Sequence, residues 1–224
     1  MLFRSGLFFP EAGWLDPKGA CDLMIQNSNI RFIGEEVINI KKTSKFKVIS
    51  NNHEYDFDQV CLCSSYEHGS LIDLKGISKK RGQVTYLQNN TSVKNLKVPI
   101  FAKGYISPAP EELKIIGSTY NDKNIKDITL EENQENLEKL KLITNRKVII
   151  EGAKYGYRAT TQDHLPLVGK TKHNIYVNIG HGSRGSSSAP IGAQFVCDLM
   201  SGSPPIFGKK ISEALDPERF KGKS

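Results

Sequence analysis

The segment that most constrains the fold of this chain is residues 175–200, IYVNIGHGSRGSSSAPIGAQFVCDLM. It opens on a short run of β-forming residues, which predicts a strand because the run is too short for a helix. Gly180, Gly182 and Gly185 follow, and glycine lets the backbone turn sharply and approach a ligand closely. The pattern therefore predicts a strand that ends in a glycine-rich turn.

A helix is expected directly after this turn. Ser188 can cap it, Pro190 suits its first turn, and Gly202 followed by two prolines ends it. Apolar residues recur at helical spacing between these signals. The free N–H groups and the positive dipole end of such a helix favour an anion or a partly negative ring edge at the turn.

The glycine spacing matches G-x-G-x-x-G, the pattern of a dinucleotide-binding turn. That motif also needs a second strand and an acidic residue about 20 positions further on. The chain after Gly202 is instead a proline-rich, basic tail. The match alone does not predict a complete dinucleotide-binding unit, and the glycines would equally serve close packing of strand and helix.

Composition and charge restrict the class of protein further. With 38% hydrophobic and 25% charged residues, the chain has the composition of a soluble globular protein, and no run approaches the ~18 apolar residues of a membrane-spanning helix. The four cysteines are scattered, and the Cys61/Cys63 pair has no matching cluster of metal ligands. We therefore expect a cytoplasmic protein with reduced thiols and no metal site.

The rest of the chain shows mixed helix and strand patterns. A helix opened by Asp16 and Pro17, and a second one capped by Thr129 with Glu132, carry clear start signals. The expected strands are 30–40, 46–50, 59–64, 82–87, 99–107, 113–120 and 147–151, with a turn at 51–56. Those from residue 82 onward are separated by polar loops and suggest an antiparallel sheet.

Seven motifs together resemble one known family. They are GLFFPEAGWLDP (6–17), RGQVTYL (81–87), GYISP (104–108), IGSTYN (116–121), RATTQDHLPLVG (158–169), IGHGSRGSSSAPIGAQ (179–194) and ALDPERFKGK (214–223). Over its whole length the chain resembles the flavin-dependent oxidase half of the bacterial bifunctional enzymes of 5-methylaminomethyl-2-thiouridine biosynthesis in tRNA. These belong to the D-amino-acid oxidase/glycine oxidase superfamily.

The resemblance implies an α/β (α+β) fold with an FAD-binding domain of the glutathione-reductase/D-amino-acid oxidase type. Residues 1–75 and 174–224 would form this domain, and an antiparallel-sheet substrate-binding domain, residues 76–173, would interrupt it. Family members begin with a β-α-β unit that holds the FAD pyrophosphate, and the bifunctional enzyme also carries a methyltransferase domain. This sequence contains neither, which suggests an N-terminally truncated chain whose partners include a missing FAD-binding segment or a methyltransferase domain.

The resemblance also implies the site residues. The turn would lie under the flavin ring, and Val37 would contact FAD through its backbone. Arg158 would bind a substrate carboxylate, for which a guanidinium fork is better suited than lysine, and Tyr105 would contact the substrate. The cofactor-binding residues of the turn would be Gly180, His181, Gly182, Ser183, Arg184, Gly185 and Ser186.

Most of these side chains also have a possible structural role. Arg158 would also suit a surface ion pair, Tyr105 a core position, and His181 a backbone hydrogen bond. Arg184 would face the flavin, the carboxylate or a tRNA phosphate. A neighbouring Asp163–His164 pair resembles a catalytic dyad but is more typical of the turn before a proline.

The family reaction implied for this chain is FAD-dependent removal of the carboxymethyl group from carboxymethylaminomethyl-(2-thio)uridine at the tRNA wobble position, giving aminomethyluridine and glyoxylate. The net charge of +7 suggests a polyanionic partner such as tRNA, although a solvated lysine surface gives the same charge. The basic stretches expected to contact phosphates are residues 79–81, 209–210 and 219–223. The alternatives are a small-amine oxidase of the glycine/sarcosine type and a non-catalytic tRNA-binding remnant.

Overall fold

The computed structural model describes residues 6–67, 69, 71–89, 93 and 95–222. In chain order its elements are α1 (Pro17–Met24), β1 (Val37–Lys42), β2 (Phe46–Ser50), β3 (Glu54–Phe57), β4 (Cys61–Leu62), β5 (Ile77–Leu87), β6 (Ile100–Phe101), β7 (Tyr105–Pro108), β8 (Lys114–Gly117), α2 (Leu130–Lys141), β9 (Ile150–Thr161), β10 (Leu167–Lys170), β11 (Tyr176–Ile179), α3 (Gly185–Ser201) and α4 (Lys209–Leu215). None of the helices in the described residues is long and apolar enough to cross a membrane.

The chain divides into two compact units. The first unit comprises Met1–Arg31 and Arg81–Gly156, and the second comprises Phe32–Lys80 and Tyr157–Ser224. The unit boundaries near residues 80 and 157 fall within β5 and β9, so each of these long strands belongs partly to both units.

The first unit is built on a sheet with strand order β6-β7-β8-β5-β9. The pairs β6–β7, β7–β8 and β8–β5 are antiparallel, which confirms the predicted type of sheet. The single strand predicted at 99–107 is wrong: Gly104 lies in a tight turn, where its carbonyl accepts from the N–H of Ala102, and the segment forms the β6–β7 hairpin. The strand predicted at 147–151 is instead β9, which extends to Thr161 alongside β5.

Helix α2 packs on this sheet and begins as predicted. The Thr129 hydroxyl accepts a hydrogen bond from the backbone N–H of Glu132, which is one of the two hydrogen bonds of a capping box. The Glu132 side chain does not return to the cap backbone. It accepts two hydrogen bonds from Arg81 of β5, from Nε at 2.9 Å and from Nη2 at 2.6 Å. The side chains of Arg81 and Glu132 are 0% and 1% exposed, so the helix is joined to the sheet by a fully buried ion pair.

The second unit contains two small sheets. The antiparallel meander β1-β2-β3 is one, and β10-β11-β4 is the other. Strand β11 pairs antiparallel with β10 and parallel with β4, which gives the α/β character that the sequence predicts. Helix α3 packs against β10 and β11. The apolar core between these elements comprises Phe46, Leu62, Ile72, Leu74, Leu167, Ile175, Val177, Ile179 and Phe220.

Two predictions for the meander are wrong. Strand β1 begins at Val37 rather than at residue 30, because Val37 lies opposite Ser50, the last residue of its partner β2. The segment predicted as a turn at 51–56 contains β3, which starts at Glu54 and pairs with β2. Its polar residues had favoured a turn, but they lie on the exposed side of a strand.

Candidate functional site

The glycine-rich turn joins β11 to α3, as predicted, but the helix begins earlier than expected. It starts at Gly185, and the N–H groups of Ser187 and Ser188 both donate to the Arg184 carbonyl. Ser188 therefore lies in the first turn of the helix rather than at its cap, and Pro190 lies inside the helix. Proline is tolerated here because the carbonyl left without its helical donor is that of Ser186, at the exposed start of the helix.

The three glycines of the motif have different local environments. Gly180 and Gly182 have φ of +80° and +56°, a conformation that other residues rarely adopt. A Cβ on Gly180 would lie 3.2 Å from Thr161 Cγ2, so the turn packs closely on the end of β9. A Cβ on Gly185 would meet only His181 Cβ, at 3.8 Å, which is ordinary contact.

One closely packed glycine beside this turn, Gly192, was not singled out from the sequence. A Cβ on Gly192, in α3, would lie 2.3 Å from Asn178 Oδ1 and 3.4 Å from Val168 Cγ1. This position lets the helix approach β10 and β11 closely, which is the packing role considered above for the whole motif. The sequence signal for this role is that Gly192 lies three and four residues before the buried Phe195 and Val196, on the same face of the helix.

His181 joins the end of β11 to the first turn of α3. Its Nε2 lies 2.9 Å from Asn178 Oδ1 and its Nδ1 lies 2.9 Å from Ser188 Oγ. Burial lowers the pKa of His181, so the imidazole is neutral at pH 7. The contacts with Asn178 and Ser188 fix the orientation of the ring.

The end of β9 lies beside the same turn. The Gly182 N–H donates to the Ala159 carbonyl at 2.8 Å, and Thr160 forms a bridge with His181. Arg158, the residue before Ala159, is half-buried. The structure therefore brings the strand that carries Arg158 to the turn, although the two segments are about 20 residues apart in the sequence.

Arg184 and Ser183 complete the turn, and both are exposed. Arg184 occupies the N-cap position, and its side chain makes no capping hydrogen bond to α3. The first N–H groups of a helix have no partner within the helix. This end of α3 therefore combines a positive dipole end with an exposed guanidinium.

Val37 lines a separate feature of the second unit, a cleft of about 840 Å³. The cleft lies between the meander and the carboxyl end of β4, and Cys61, Cys63 and Ser64 form part of its wall. Ligands of open α/β sheets bind outside the carboxyl ends of parallel strands. This volume is within the range of small-molecule sites, about 300–1,000 Å³.

Tyr105 belongs to the first unit, whereas the other candidate residues belong to the second. It begins β7 and is half-buried, and its ring lies 5.9 Å from that of Phe101. A Cβ on Gly117 of the neighbouring strand would lie 3.4 Å from its hydroxyl. Tyr105 is thus a strand aromatic at a partly open position, and its role in substrate contact stays a prediction.

The Asp163–His164 segment forms a turn with a structural partner. Arg219 donates to both carboxylate oxygens of Asp163, at 2.9 Å each, and to the Leu165 carbonyl. The hydrogen bond from Arg219 lowers the pKa of Asp163 to about 2. His164 has φ of +60°, as a turn residue. The C-terminal segment is therefore clamped onto this turn.

These contacts correct part of the predicted phosphate-binding surface. Arg81 is buried in its ion pair with Glu132, and Arg219 is 10% exposed and bound to Asp163. Lys79 lies 3.7 Å from the centre of the Tyr157 ring, a cation–π contact. The sequence predicted that these three residues contact phosphates, but their side chains contact other residues of the protein. Lys209 and Lys210 are exposed, and Lys223 lies outside the described residues.

A Ser–His–Glu cluster in the meander has the composition of a catalytic triad but not its geometry. The Ser50 hydroxyl donates to Glu35, at 2.5 Å, and His53 Nδ1 lies 2.7 Å from the same carboxylate. The Ser50 oxygen also accepts from the His53 backbone N–H, at 2.8 Å. Because the hydroxyl donates to the carboxylate rather than to the imidazole, the cluster stabilises the β2–β3 turn.

A comparison with protein-family models decides the family. Residues 2–199 match the model described as "FAD dependent oxidoreductase". The chain belongs to this FAD-dependent oxidoreductase family. The match covers the glycine-rich turn, the end of β9 and the cleft, so these features belong to an FAD-dependent oxidoreductase.

Several similar curated relatives carry one name, "tRNA 5-methylaminomethyl-2-thiouridine biosynthesis bifunctional protein MnmC". The protein from Campylobacter concisus is 30% identical over 96% of this chain and 40% of its own length. The protein from Legionella pneumophila is 26% identical over 96% of this chain and 37% of its own length. The chain thus spans about two fifths of the curated relatives that it matches.

Solved structures support the fold of an FAD-dependent oxidoreductase. Glycine oxidase from Geobacillus kaustophilus is similar with a TM-score of 0.71 and 18% identity, covering 85% of this chain and 54% of that one. Iminodiacetate oxidase from Chelativorans has a TM-score of 0.72 and 14% identity, with the same coverage. L-proline dehydrogenase from P. horikoshii has a TM-score of 0.68 and 20% identity, covering 84% and 54%. The D-amino-acid oxidase type of fold is therefore confirmed.

Proposed function

We propose that this chain is the oxidase part of an enzyme that removes the carboxymethyl group from carboxymethylaminomethyl-(2-thio)uridine at the tRNA wobble position. The products would be aminomethyluridine and glyoxylate. The observation that carries this proposal is the match to the bifunctional tRNA-modification proteins over 96% of the chain. The geometry of the second unit supports the chemistry that the reaction needs.

Three features of the second unit fit FAD. Residues 180–184 make a tight turn with two glycines at positive φ, and α3, which begins at Gly185, has no side-chain cap. The third is the cleft, whose wall includes Val37 and apolar residues beyond β4. We infer that residues 180–186 hold the ring system and that Val37 contacts the nucleotide through its backbone. The positive end of α3 would stabilise negative charge at the nearby ring edge.

When bound, FAD supplies the hydride acceptor for oxidation of a carbon next to an amine nitrogen. The protein must hold the substrate so that this carbon faces the ring. A carboxymethylamine ends in a carboxylate, and the Arg158 guanidinium can bind that group with two parallel hydrogen bonds. Because β9 lies beside the glycine turn, Arg158 is our candidate for this contact. Tyr105 is proposed as a second substrate contact and Arg184 as a further cationic residue at the turn.

A small-amine oxidase acting on glycine or sarcosine is the second candidate. It would need the same turn and the same arginine, and the solved structures include a glycine oxidase. Likeness of fold does not separate the two candidates, because both substrates present an amine and a carboxylate. The two candidates differ in the size and charge of the substrate, because tRNA is a large polyanion whereas glycine and sarcosine are small molecules. A chain that binds tRNA but not flavin would instead be a non-catalytic remnant.

The tRNA assignment predicts a steep dependence of tRNA affinity on salt. Each lysine or arginine that contacts a phosphate contributes about 0.7–0.9 to the slope of log affinity against log salt concentration. Lys209→Ala/Lys210→Ala should therefore make the slope shallower by about 1.4–1.8. Fluorescence anisotropy with labelled tRNA over a series of salt concentrations measures this slope.

The matched control is Lys126→Ala/Lys141→Ala, which removes the same charge from exposed positions of the first unit. Its slope should equal that of the unaltered protein. A flat salt response of the unaltered protein would favour the small-amine oxidase. Equal slopes for both double variants would exclude Lys209 and Lys210 as phosphate contacts.

A further inference from the structure

Cys61 and Cys63 form a close pair of thiols in the second unit. Cys61 begins β4 and Cys63 directly follows it, with one residue between them. Their sulfur atoms are 3.7 Å apart, within hydrogen-bonding distance for sulfur. Both residues are exposed, and both line the 840 Å³ cleft. The pair therefore forms part of the wall of the cleft assigned above to FAD, and small molecules reach it from the cleft when FAD is not bound.

The two thiols have different acidities. The hydrogen bond from Cys61 lowers the pKa of Cys63, partial desolvation of the sulfur raises it, and the backbone N–H of Asn178 lowers it, so that the net pKa is about 7. The pKa of Cys61 is raised, chiefly by the same hydrogen bond and then by partial desolvation of its sulfur. At neutral pH Cys63 is thus partly ionised to the thiolate, whereas Cys61 remains a thiol. This is the arrangement of an attacking cysteine beside a resolving cysteine.

We propose that Cys61 and Cys63 form a redox site that hydrogen peroxide converts reversibly into an intramolecular disulfide. Cys63 attacks one peroxide oxygen, the O–O bond breaks, and hydroxide leaves to give a sulfenic acid. The Cys61 sulfur then attacks the Cys63 sulfur, so that the S–S bond forms and the S–O bond breaks. Overall two thiols lose two hydrogen atoms, and one peroxide becomes two molecules of water.

The measured sulfur–sulfur distance favours the Cys61–Cys63 pair. A disulfide has an S–S length of about 2.05 Å, so the two sulfurs must approach each other by about 1.7 Å. Cys21 lies in the first unit. Cys197, on α3, is close enough for its charge to raise the pKa of Cys61, which makes a Cys61–Cys197 disulfide the alternative product.

The test is mass spectrometry of the purified, unaltered protein after treatment with hydrogen peroxide. We expect the intact mass to fall by two hydrogen atoms and two of the four thiols to disappear. Proteolysis should yield one peptide that holds Cys61 and Cys63 in an internal disulfide, and dithiothreitol should restore both thiols. A disulfide from Cys61 to Cys197, a disulfide between two molecules, or four unchanged thiols would overturn the proposal.

Variants test the role of the hydrogen bond between the two thiols. At pH 7 a cysteine with the pKa of Cys63 should react with iodoacetamide about threefold faster than an ordinary cysteine, because greater ionisation is partly offset by weaker nucleophilicity. Cys61→Ser keeps a donor and should preserve this rate, whereas Cys61→Ala should lower it about threefold. In both variants peroxide oxidation should stop at a sulfenic acid on Cys63, which dimedone traps.

Cys21→Ser is the control, since it removes an exposed cysteine of the first unit and should leave the Cys61–Cys63 disulfide unchanged. Equal rates for Cys61→Ser and Cys61→Ala, or a Cys63 that reacts no faster than Cys21, would contradict the assigned roles of the two thiols. The measurement on unaltered protein remains valid even where a variant folds poorly.

Discussion

Replacing Glu132 with alanine should lower the free energy of unfolding of the first unit by about 3–5 kcal/mol, because it leaves a buried guanidinium without its carboxylate. Arg81 and Glu132 are 0% and 1% exposed, so water cannot replace the lost partner without rearrangement. The carboxylate also accepts from Thr119, Asn121 and Thr129. Urea unfolding followed by the fluorescence of Trp14, the one tryptophan of the chain, measures the change.

Glu138→Ala is the matched control, since Glu138 also lies on α2 and forms an ion pair, with Lys141, that is exposed. Exposed pairs contribute at most about 1 kcal/mol, so this variant should be close to the unaltered protein. Similar losses for the two variants would contradict the structural role of the buried pair.

The same carboxylate predicts how stability depends on pH. Burial raises the pKa of Glu132, but the hydrogen bonds from Arg81, Thr119, Asn121 and Thr129 outweigh it and lower the pKa to about 2. A folded pKa below the ordinary value of about 4.3 means that the stabilisation is complete above that value and is lost as the pH falls towards 2. In Glu132→Gln the free energy of unfolding should fall less between pH 4 and pH 2 than in the unaltered protein. An equal fall in both proteins would show that other carboxylates cause the acid destabilisation.

Replacing Arg158 with lysine in the active, flavin-loaded enzyme should lower turnover about ten- to a hundredfold while FAD stays bound. Loss of a bidentate charged contact costs about 1.5–3 kcal/mol, and lysine cannot supply the second parallel hydrogen bond. The flavin absorbance band measures cofactor content, and release of glyoxylate from modified tRNA measures turnover. Both are needed because Arg158 lies close to the turn assigned to the flavin.

Arg146→Lys, at an exposed position of the first unit, provides the control and should keep full turnover. Unchanged kinetics for Arg158→Lys would leave Arg158 as a structural residue. Loss of the flavin band in the same variant would assign Arg158 to cofactor binding instead of substrate binding.

The sequence predicted those parts of the fold that depend on local signals. The Asp16 cap with Pro17, the Thr129 cap and the strand at residues 176–179 all have strong neighbouring signals, and each is present. The start of α3 was misplaced because Ser188 and Pro190 resemble start signals, whereas the backbone at Arg184 already accepts the first helical hydrogen bonds. Local signals place an element more reliably than they place its ends.

Contacts between distant segments were not predictable in this way. Nothing near Arg81 in the sequence shows that it pairs with Glu132, 51 residues away, or that Arg219 reaches Asp163, 56 residues away. Both arginines had been counted as a basic surface for tRNA, although burial gives them internal partners. The strand that carries Arg158 lies beside the glycine turn because the end of β9 pairs with the segment after β11.

The most direct test of the proposed function is analysis of tRNA nucleosides by mass spectrometry. Purified protein that contains this chain would be incubated with FAD, an electron acceptor, and tRNA carrying carboxymethylaminomethyluridine. We expect this nucleoside to be converted to aminomethyluridine, with one glyoxylate released for each nucleoside converted. Glyoxylate produced from free glycine or sarcosine, with the tRNA nucleosides unchanged, would contradict the account and assign the chain to the small-amine oxidases.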